Sequence, residues 1–356
     1  MSIPNAAGPP TGRWIVSARY DTLFFTASLL VPFALWGAFS LGWMTGLAVY
    51  VTFQLAFNMP HNFQTWTMSV LEPEDRARHG RIYLGVAALA LVVLGVPMAL
   101  SPEGIYPWVR DALVYWGYFH LVRQHYGFQR IYERRMGGVS PRESWWYGRY
   151  LDVVCYAPLL IRFRDPELMT IRAAGRSMWI QHPVPPGGVV TVLVVVYAGA
   201  ILAGVLHHIL MVRRGRRECG PRGWLLLSVT VCFGAAALAI PNLLVSIAVV
   251  TAYHNIQYLG LVWFHNRNRA EGGESAGNVT IGWISRRRVL VYAGVSFAYG
   301  VMIFVPYALF PSARMAELPV SFVIAMHYFI DGRVWRFADY PRRAEWLKLR
   351  APRSEG

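Results

Sequence analysis

The chain has 356 residues, 55% of them apolar and 14% aromatic, with a formal net charge of +15. Mean hydropathy is positive, and the apolar residues gather into stretches of about 20, the length a bilayer core requires, which excludes an ordinary water-soluble domain. Nucleic acid is set aside as a partner, because basic residues in a membrane protein collect on the cytoplasmic side and beside anionic lipid.

In chain order the hydropathy pattern predicts ten spanning segments, near 22–40, 43–65, 82–100, 107–130, 145–162, 188–212, 223–240, 242–265, 288–310 and 318–336. They read as one all-α polytopic membrane bundle, with no internal repeat and no linker long enough to divide it. The stretch before the first segment contains Pro and Gly but no apolar core, so the first segment is expected to act as an uncleaved anchor. Basic residues cluster at Arg13 and Arg19, at Arg76, Arg78 and Arg81, between Arg130 and Arg149, in "RRGRRECGPR", at Arg267, Arg269 and "SRRR", and in the tail from Arg333 onward. These clusters fall on alternate connections, which predicts both termini in the cytoplasm and a multi-pass protein of a bacterial inner membrane. The connection "RFRDPELMTIRAAGR" runs against that bias. The loop "NRAEGGESAGN" leads into Asn278-Val279-Thr280, a glycosylation sequon discounted on a cytoplasmic loop. Cys155 and Cys232 fall inside segments and Cys219 in a basic loop, so neither a disulfide framework nor a thiolate metal site is expected.

Histidine carries the strongest signal. Of ten histidines, His79 and His182 are expected in loops. The other eight, His61, His120, His125, His207, His208, His254, His265 and His327, fall on segments two, four, six, eight and ten, which run in the same direction. Strongly polar side chains inside lipid are costly unless they face the bundle interior and find partners there. A lone one commonly makes a single interhelical hydrogen bond; several at similar depth point to a shared ligand.

Four motifs carry them: "MPHNFQT", "YFHLVRQHYG", "AYHNIQYLGLVW" and "AMHYFIDGRVW". His327 and Asp331 are one helical turn apart and share a face, so the carboxylate can ligate a metal or orient an imidazole. His120 and Gln124 share a face, with Arg123 adjacent, whereas His125 points elsewhere unless the helix is distorted. His254 shares a face with Gln257 and Tyr258. His265 returns to that face about 16 Å further along the axis, too far to bind the same ion. Adjacent His207 and His208 diverge by about 100°, and together with the nearby arginines they suggest an interfacial role.

Neutral imidazoles with few carboxylates suit iron, zinc or copper and exclude a calcium or magnesium cage. A site inside the bilayer suits a lipophilic substrate arriving through membrane lipid, with O2 as a co-substrate. The candidate ligands on these motifs are His61, His120, His125, His254 and His327. Asp331, Gln124, Gln257 and Tyr258 are expected to support the ligands or supply a proton, and Arg123 to balance Asp331 or bind a polar end of the substrate. Two alternatives stay open. One is a histidine-rich di-iron hydroxylase or desaturase, using His125, His265 and one of His207 or His208 at a second metal. The other is a haem- or metal-handling transporter.

At these motifs the sequence resembles the bacterial Brp/Blh family, the bacteriorhodopsin-associated membrane carotene dioxygenases that cleave β-carotene to retinal. The resemblance lies in Pro60-His61, in Phe119-His120 with His125 at an Asp position, in Tyr253-His254 running into Leu261-Val262-Trp263, and in His327 followed by Asp331. It covers a few dozen residues in the same order. The chain departs from the pattern near Thr65, where the family has Asp, at Tyr258, where it has a second histidine, and at Met326, where it has Pro. The resemblance implies a four-histidine Fe(II) centre formed by His61, His120, His254 and His327; the departures bear on the substrate.

Overall fold

The structure, a computed structural model, describes residues 13–173, 176–215, 220–271, 289–310, 314–337 and 339–349. Cys219, the sequon and "SRRR" lie outside the described residues. Among the described residues ten long helical segments follow one another: α1 (Ala18–Ser40), α2 (46–68), α3 (Pro73–Leu100), α4 (Tyr106–Arg135), α5 (Pro141–Arg162), α6 (Gly187–Arg213), α7 (Gly220–Ala239), α8 (Leu243–Glu271), α9 (Val289–Leu309) and α10 (Leu318–Val334). A short α11 (Pro341–Trp346) closes the described chain. Local chemistry sets several of their starts. Pro73 opens α3 with Glu74 and Asp75 in its first turn, and Ser140 caps α5 by accepting from the Glu143 amide at 3.1 Å, placing acidic groups at positive helix ends. The expected loop residue His79 therefore lies on α3, which begins well before its apolar stretch.

Six of the helices, α1, α3, α6, α7, α8 and α9, are long and apolar enough to cross a membrane among the described residues. Their outward faces are apolar: Leu84 on α3 is 74% exposed and Val195 on α6 is 64% exposed. Such surfaces are stable beside lipid tails and not beside water. The interior is the reverse, with His61, Asn62, Gln64, His254, Asn255, Gln257 and Asp331 all buried. The chain is thus a membrane helical bundle with an apolar coat and a polar heart, and α8, 78% of whose apolar window is buried, runs through its centre.

One departure from an all-helical chain occurs in the connection whose arginines ran against the charge bias. There Thr170–Ala173 pairs antiparallel with Arg176–Trp179, Thr170 opposite Trp179. Alternating residues in this hairpin seat Ile171 beside Phe163, Met169 and Ile180, and the backbone groups of a polar connection are satisfied by pairing.

Three helices contain a π-helical turn: Thr22–Thr26 in α1, Gln54–Asn58 in α2 and Ala235–Ala239 in α7. Each wider turn leaves carbonyls short of partners, and in lipid these must be supplied from within the protein. At α1 the Phe25 carbonyl accepts from Tyr253 Oη at 2.9 Å and Gln257 Nε2 at 3.0 Å. At α7 the buried Arg162 guanidinium donates to the carbonyls of Ala237, Ile240 and Pro241 at 3.0, 2.8 and 2.9 Å, and also to Leu168. An ammonium cannot reach this fan of acceptors in one plane. Both Arg162→Ala and Arg162→Lys are therefore expected to destabilise the protein by about 3 kcal/mol, the cost of leaving several buried carbonyls unpaired. Thermal unfolding in detergent checks this.

α11 fastens the base of the bundle. Its Arg343 donates to the carbonyls of Val334 at the end of α10 and of Met68 at the end of α2, and pairs with Asp75 at the start of α3. Burial pulls this guanidinium below its usual range, opposed by the Asp75 carboxylate. α2 and α10, which carry His61 and His327, are in this way held at a fixed height relative to each other.

Candidate metal centre

Four helices bring one histidine each to the polar heart: His61 on α2, His120 on α4, His254 on α8 and His327 on α10, all buried. Each helix is positioned by hydrogen bonds close to its histidine. The π-turn ahead of His61 is tied by Asn58 to Gln54 at 2.6 Å, and Asn62 returns to the Asn58 carbonyl at 2.9 Å. α8 is held against α1 by Tyr253, and Gln124 of α4 donates to the His254 carbonyl at 2.9 Å. α4 and α10 meet where Gly117 leaves room for the Tyr328 hydroxyl; a Cβ there would lie 2.4 Å from it. The Tyr328 ring in turn lies 4.9 Å from that of His120.

One ligand atom from each of the four imidazoles lies within 4.8 Å of the others, and among the described residues this is the one group of metal-ligating side chains so arranged. His61 Nε2 and His120 Nε2 lie 2.9 and 3.1 Å from His327 Nε2. A ring nitrogen offers one proton or one lone pair. His327 Nε2 cannot satisfy both neighbours, whereas a cation between the three lone pairs satisfies all of them. A metal bonded to imidazole nitrogen at about 2.1 Å separates two ligands by about 3.0 Å at a right angle and about 3.4 Å at the tetrahedral angle. The two observed spacings are short enough for His61, His120 and His327 to share one ion. His61 Nδ1 and His254 Nδ1 are buried without a hydrogen bond.

The far side of His327 is supported. Its Nδ1 lies 2.6 Å from Thr65 Oγ1, which lies 3.4 Å from the Tyr258 hydroxyl. Tyr258 donates in a short hydrogen bond to Asp331 Oδ1, which also accepts from Trp335 Nε1 at 3.0 Å. The other carboxylate oxygen, Oδ2, is 3.8 Å from His120 Nε2. A metal-bound Nε2 requires the proton on Nδ1, and a chain of hydroxyls ending on a carboxylate is the arrangement that holds it there. Tyr258 further packs edge-on to His61, ring centres 4.4 Å apart.

Other expected participants are placed elsewhere. His125, five residues beyond His120, sits beside the group but not in it, in a pocket of rings 5.7 Å from Tyr253, 5.4 Å from Phe233 and 6.1 Å from His254, and neither of its nitrogens makes a hydrogen bond. Arg123 is exposed on the outer face of α4 with its guanidinium 4.5 Å over Tyr126, so it neither balances Asp331 nor reaches the centre. Gln257 is drawn to the Phe25 carbonyl freed by the π-turn. Gln124 acts on the His254 backbone and not on a ring. His265 packs on Trp346 and bonds Asn266 at 3.1 Å. His207 and His208 border a groove between α5, α6 and α7. The histidines considered for a second metal are thus scattered through three regions of the bundle.

Thr65, Trp335 and Tyr328 were not anticipated as supports of the centre. Only Trp335 had a simple signal, one turn from Asp331 on the same face. Thr65 is likewise one turn from His61, but as a hydroxyl it is not distinguishable by spacing from any helix-bonding threonine. Comparison of the chain with family models, curated proteins and solved structures finds no match.

Proposed function

We propose that the chain is a membrane-embedded, iron-dependent oxygenase that joins O2 to a lipophilic, unsaturated substrate of carotenoid-like character taken from the bilayer. The observation that carries this reading is the convergence of four buried imidazoles, one from each of four helices, in the interior of an apolar bundle. An all-imidazole donor set suits iron, and the order of motifs resembling an iron-dependent family favours it over zinc. Bound Fe(II) supplies the one-electron chemistry by which O2 reacts with a closed-shell hydrocarbon. His61, His120, His254 and His327 would hold the ion. Thr65, Tyr258 and Asp331 keep the proton on His327 Nδ1, and Tyr258, whose ring packs on His61, would supply a proton at the centre.

Substrate access is supported on the lipid side of His120. Trp116, 40% exposed on α4, lies 5.5 Å from Tyr328, whose ring lies 4.9 Å from His120. Two aromatic rings separate the bilayer from the centre there, a lining that suits a conjugated hydrocarbon. The order of motifs resembling the Brp/Blh family supports the same class of reaction. In this reading all ten long helices cross a bacterial inner membrane with both termini in the cytoplasm; of the four less apolar ones, α4 and α5 still present apolar side chains outward, among them Phe119 and Leu160.

Protein purified in mild detergent is expected to contain close to one iron per chain, to lack a haem absorption band, and to consume O2 when supplied with a polyene under reducing conditions. Elemental analysis, absorption spectroscopy and an oxygen electrode check this. Stoichiometric zinc with no iron would remove the oxygenase reading, two irons per chain would favour a di-iron enzyme, and a Soret band would indicate haem.

A further inference from the structure

A second feature of the bundle lies apart from the metal centre, where the N-terminal end of α5, the C-terminal end of α6 and the N-terminal end of α7 meet. A groove of about 880 Å³ opens there. Ala203, Leu226 and Leu227 supply apolar wall. Tyr150 also lines it, with its hydroxyl occupied by Thr230 at 2.9 Å, so the tyrosine contributes its ring to the groove without an unmet polar tip.

The rim is chemically different. Trp146 and Trp224 border the groove and are more than half exposed, as indole rings are where lipid meets water. Arg142 and Arg214 lie on the same rim, and among the described residues neither has an acidic partner. Among the described residues the carboxylate lining the groove, Glu143, is paired with the buried Arg222 guanidinium at 2.7 Å. The described rim therefore presents two positive charges over an apolar slot, at helix ends where a headgroup would sit.

We propose that this groove is a binding site for an anionic phospholipid, one acyl chain lying in the slot and the phosphate received by Arg142 and Arg214. Volume, apolar wall, interfacial tryptophans and the charge of the rim agree on that ligand class. A zwitterionic lipid fits the slot equally well and gains less at the rim, so selectivity resides in the arginines and occupancy in the slot.

The test uses the full chain purified in mild detergent and exposed to phosphatidylglycerol or phosphatidylcholine with identical acyl chains, with bound lipid read by native mass spectrometry. Wild-type protein is expected to retain one phosphatidylglycerol per chain and to prefer it over phosphatidylcholine by roughly thirtyfold, the factor that two arginines at a membrane surface supply together. The double substitution Arg142→Gln with Arg214→Gln changes exposed side chains only and should bring the preference close to unity while leaving the unfolding temperature in place. Ala203→Trp, which fills the slot, should remove retention of both lipids. Equal retention of the two lipids by wild type overturns the proposal, as does an unchanged preference in the double variant. A dimer mass that Ala203→Trp alone converts to monomer would assign the face to a second copy of the chain and overturn it as well.

Discussion

His327→Ala is expected to lower bound iron from near one ion per chain by more than a hundredfold in affinity, leaving purified protein essentially metal-free. Loss of a residue that merely supports a ligand costs about 10- to 100-fold, and His327 is both a candidate ligand and the hub of the group, its Nε2 within 3.1 Å of the Nε2 atoms of His61 and His120. His120→Ala should behave alike. The controls are His125→Ala and His265→Ala, buried histidines outside the group, which should retain metal even if they lower thermal stability. Elemental analysis across the four variants decides the matter, since full metal content in His327→Ala and His120→Ala would eliminate a shared site. Equal loss in all four would point to misfolding, which the unfolding temperature in detergent reveals separately.

Asp331→Asn is expected to retain iron but with an affinity lowered by about 10- to 100-fold, and to slow turnover by about 10²- to 10⁴-fold, the range for losing a positioned proton-transfer group. The amide is nearly isosteric and its carbonyl oxygen can still accept from Tyr258 and Trp335, so packing survives. What disappears is the negative charge on which the chain from His327 through Thr65 and Tyr258 terminates. Without that charge Nδ1 of His327 holds its proton less firmly, and Nε2 is a poorer donor. Iron titration with a competing chelator, alongside steady-state oxygen consumption, separates the two effects. A variant with wild-type affinity and wild-type turnover would reduce Asp331 to a structural acceptor for Trp335.

Much of this arrangement was legible because lipid restricts polar residues to the bundle interior. In α2, α4, α8 and α10 the histidines stood out against apolar surroundings, and His327, Asp331 and Trp335 fall on one face by simple helical spacing. The helix pattern also located the long segments, with the errors concentrated where polar ends extend a helix beyond its apolar part, as at His79 in α3. Spacing failed where a helix's neighbours decide which way a side chain turns. Gln257 sits on the face of His254 by arithmetic, yet it bends to the Phe25 carbonyl, because a π-turn in a distant helix had left that acceptor open. Nothing in "TLFFT" announces such a turn. Arg123 was attractive as a countercharge to Asp331, but between Val122 and Gln124 it lies on the outward side, where it stacks on Tyr126. His125 sits about 140° around the helix from His120, and α4 is regular enough there to leave it so.

The π-turn at Gln54–Asn58 gives α2 a different kind of significance. A π-turn accommodates one residue more than the α-helix around it, and each residue of an α-helix turns the chain by about 100°. Everything downstream, His61, Asn62 and Thr65 together, owes its compass bearing to that single surplus residue. The membership of the histidine cluster is therefore encoded partly in chain length: the same side chains, one residue shorter before Met59, would aim His61 at a neighbouring helix and leave three imidazoles facing one another. A lineage could acquire or discard the four-histidine cluster by an indel, with no histidine exchanged.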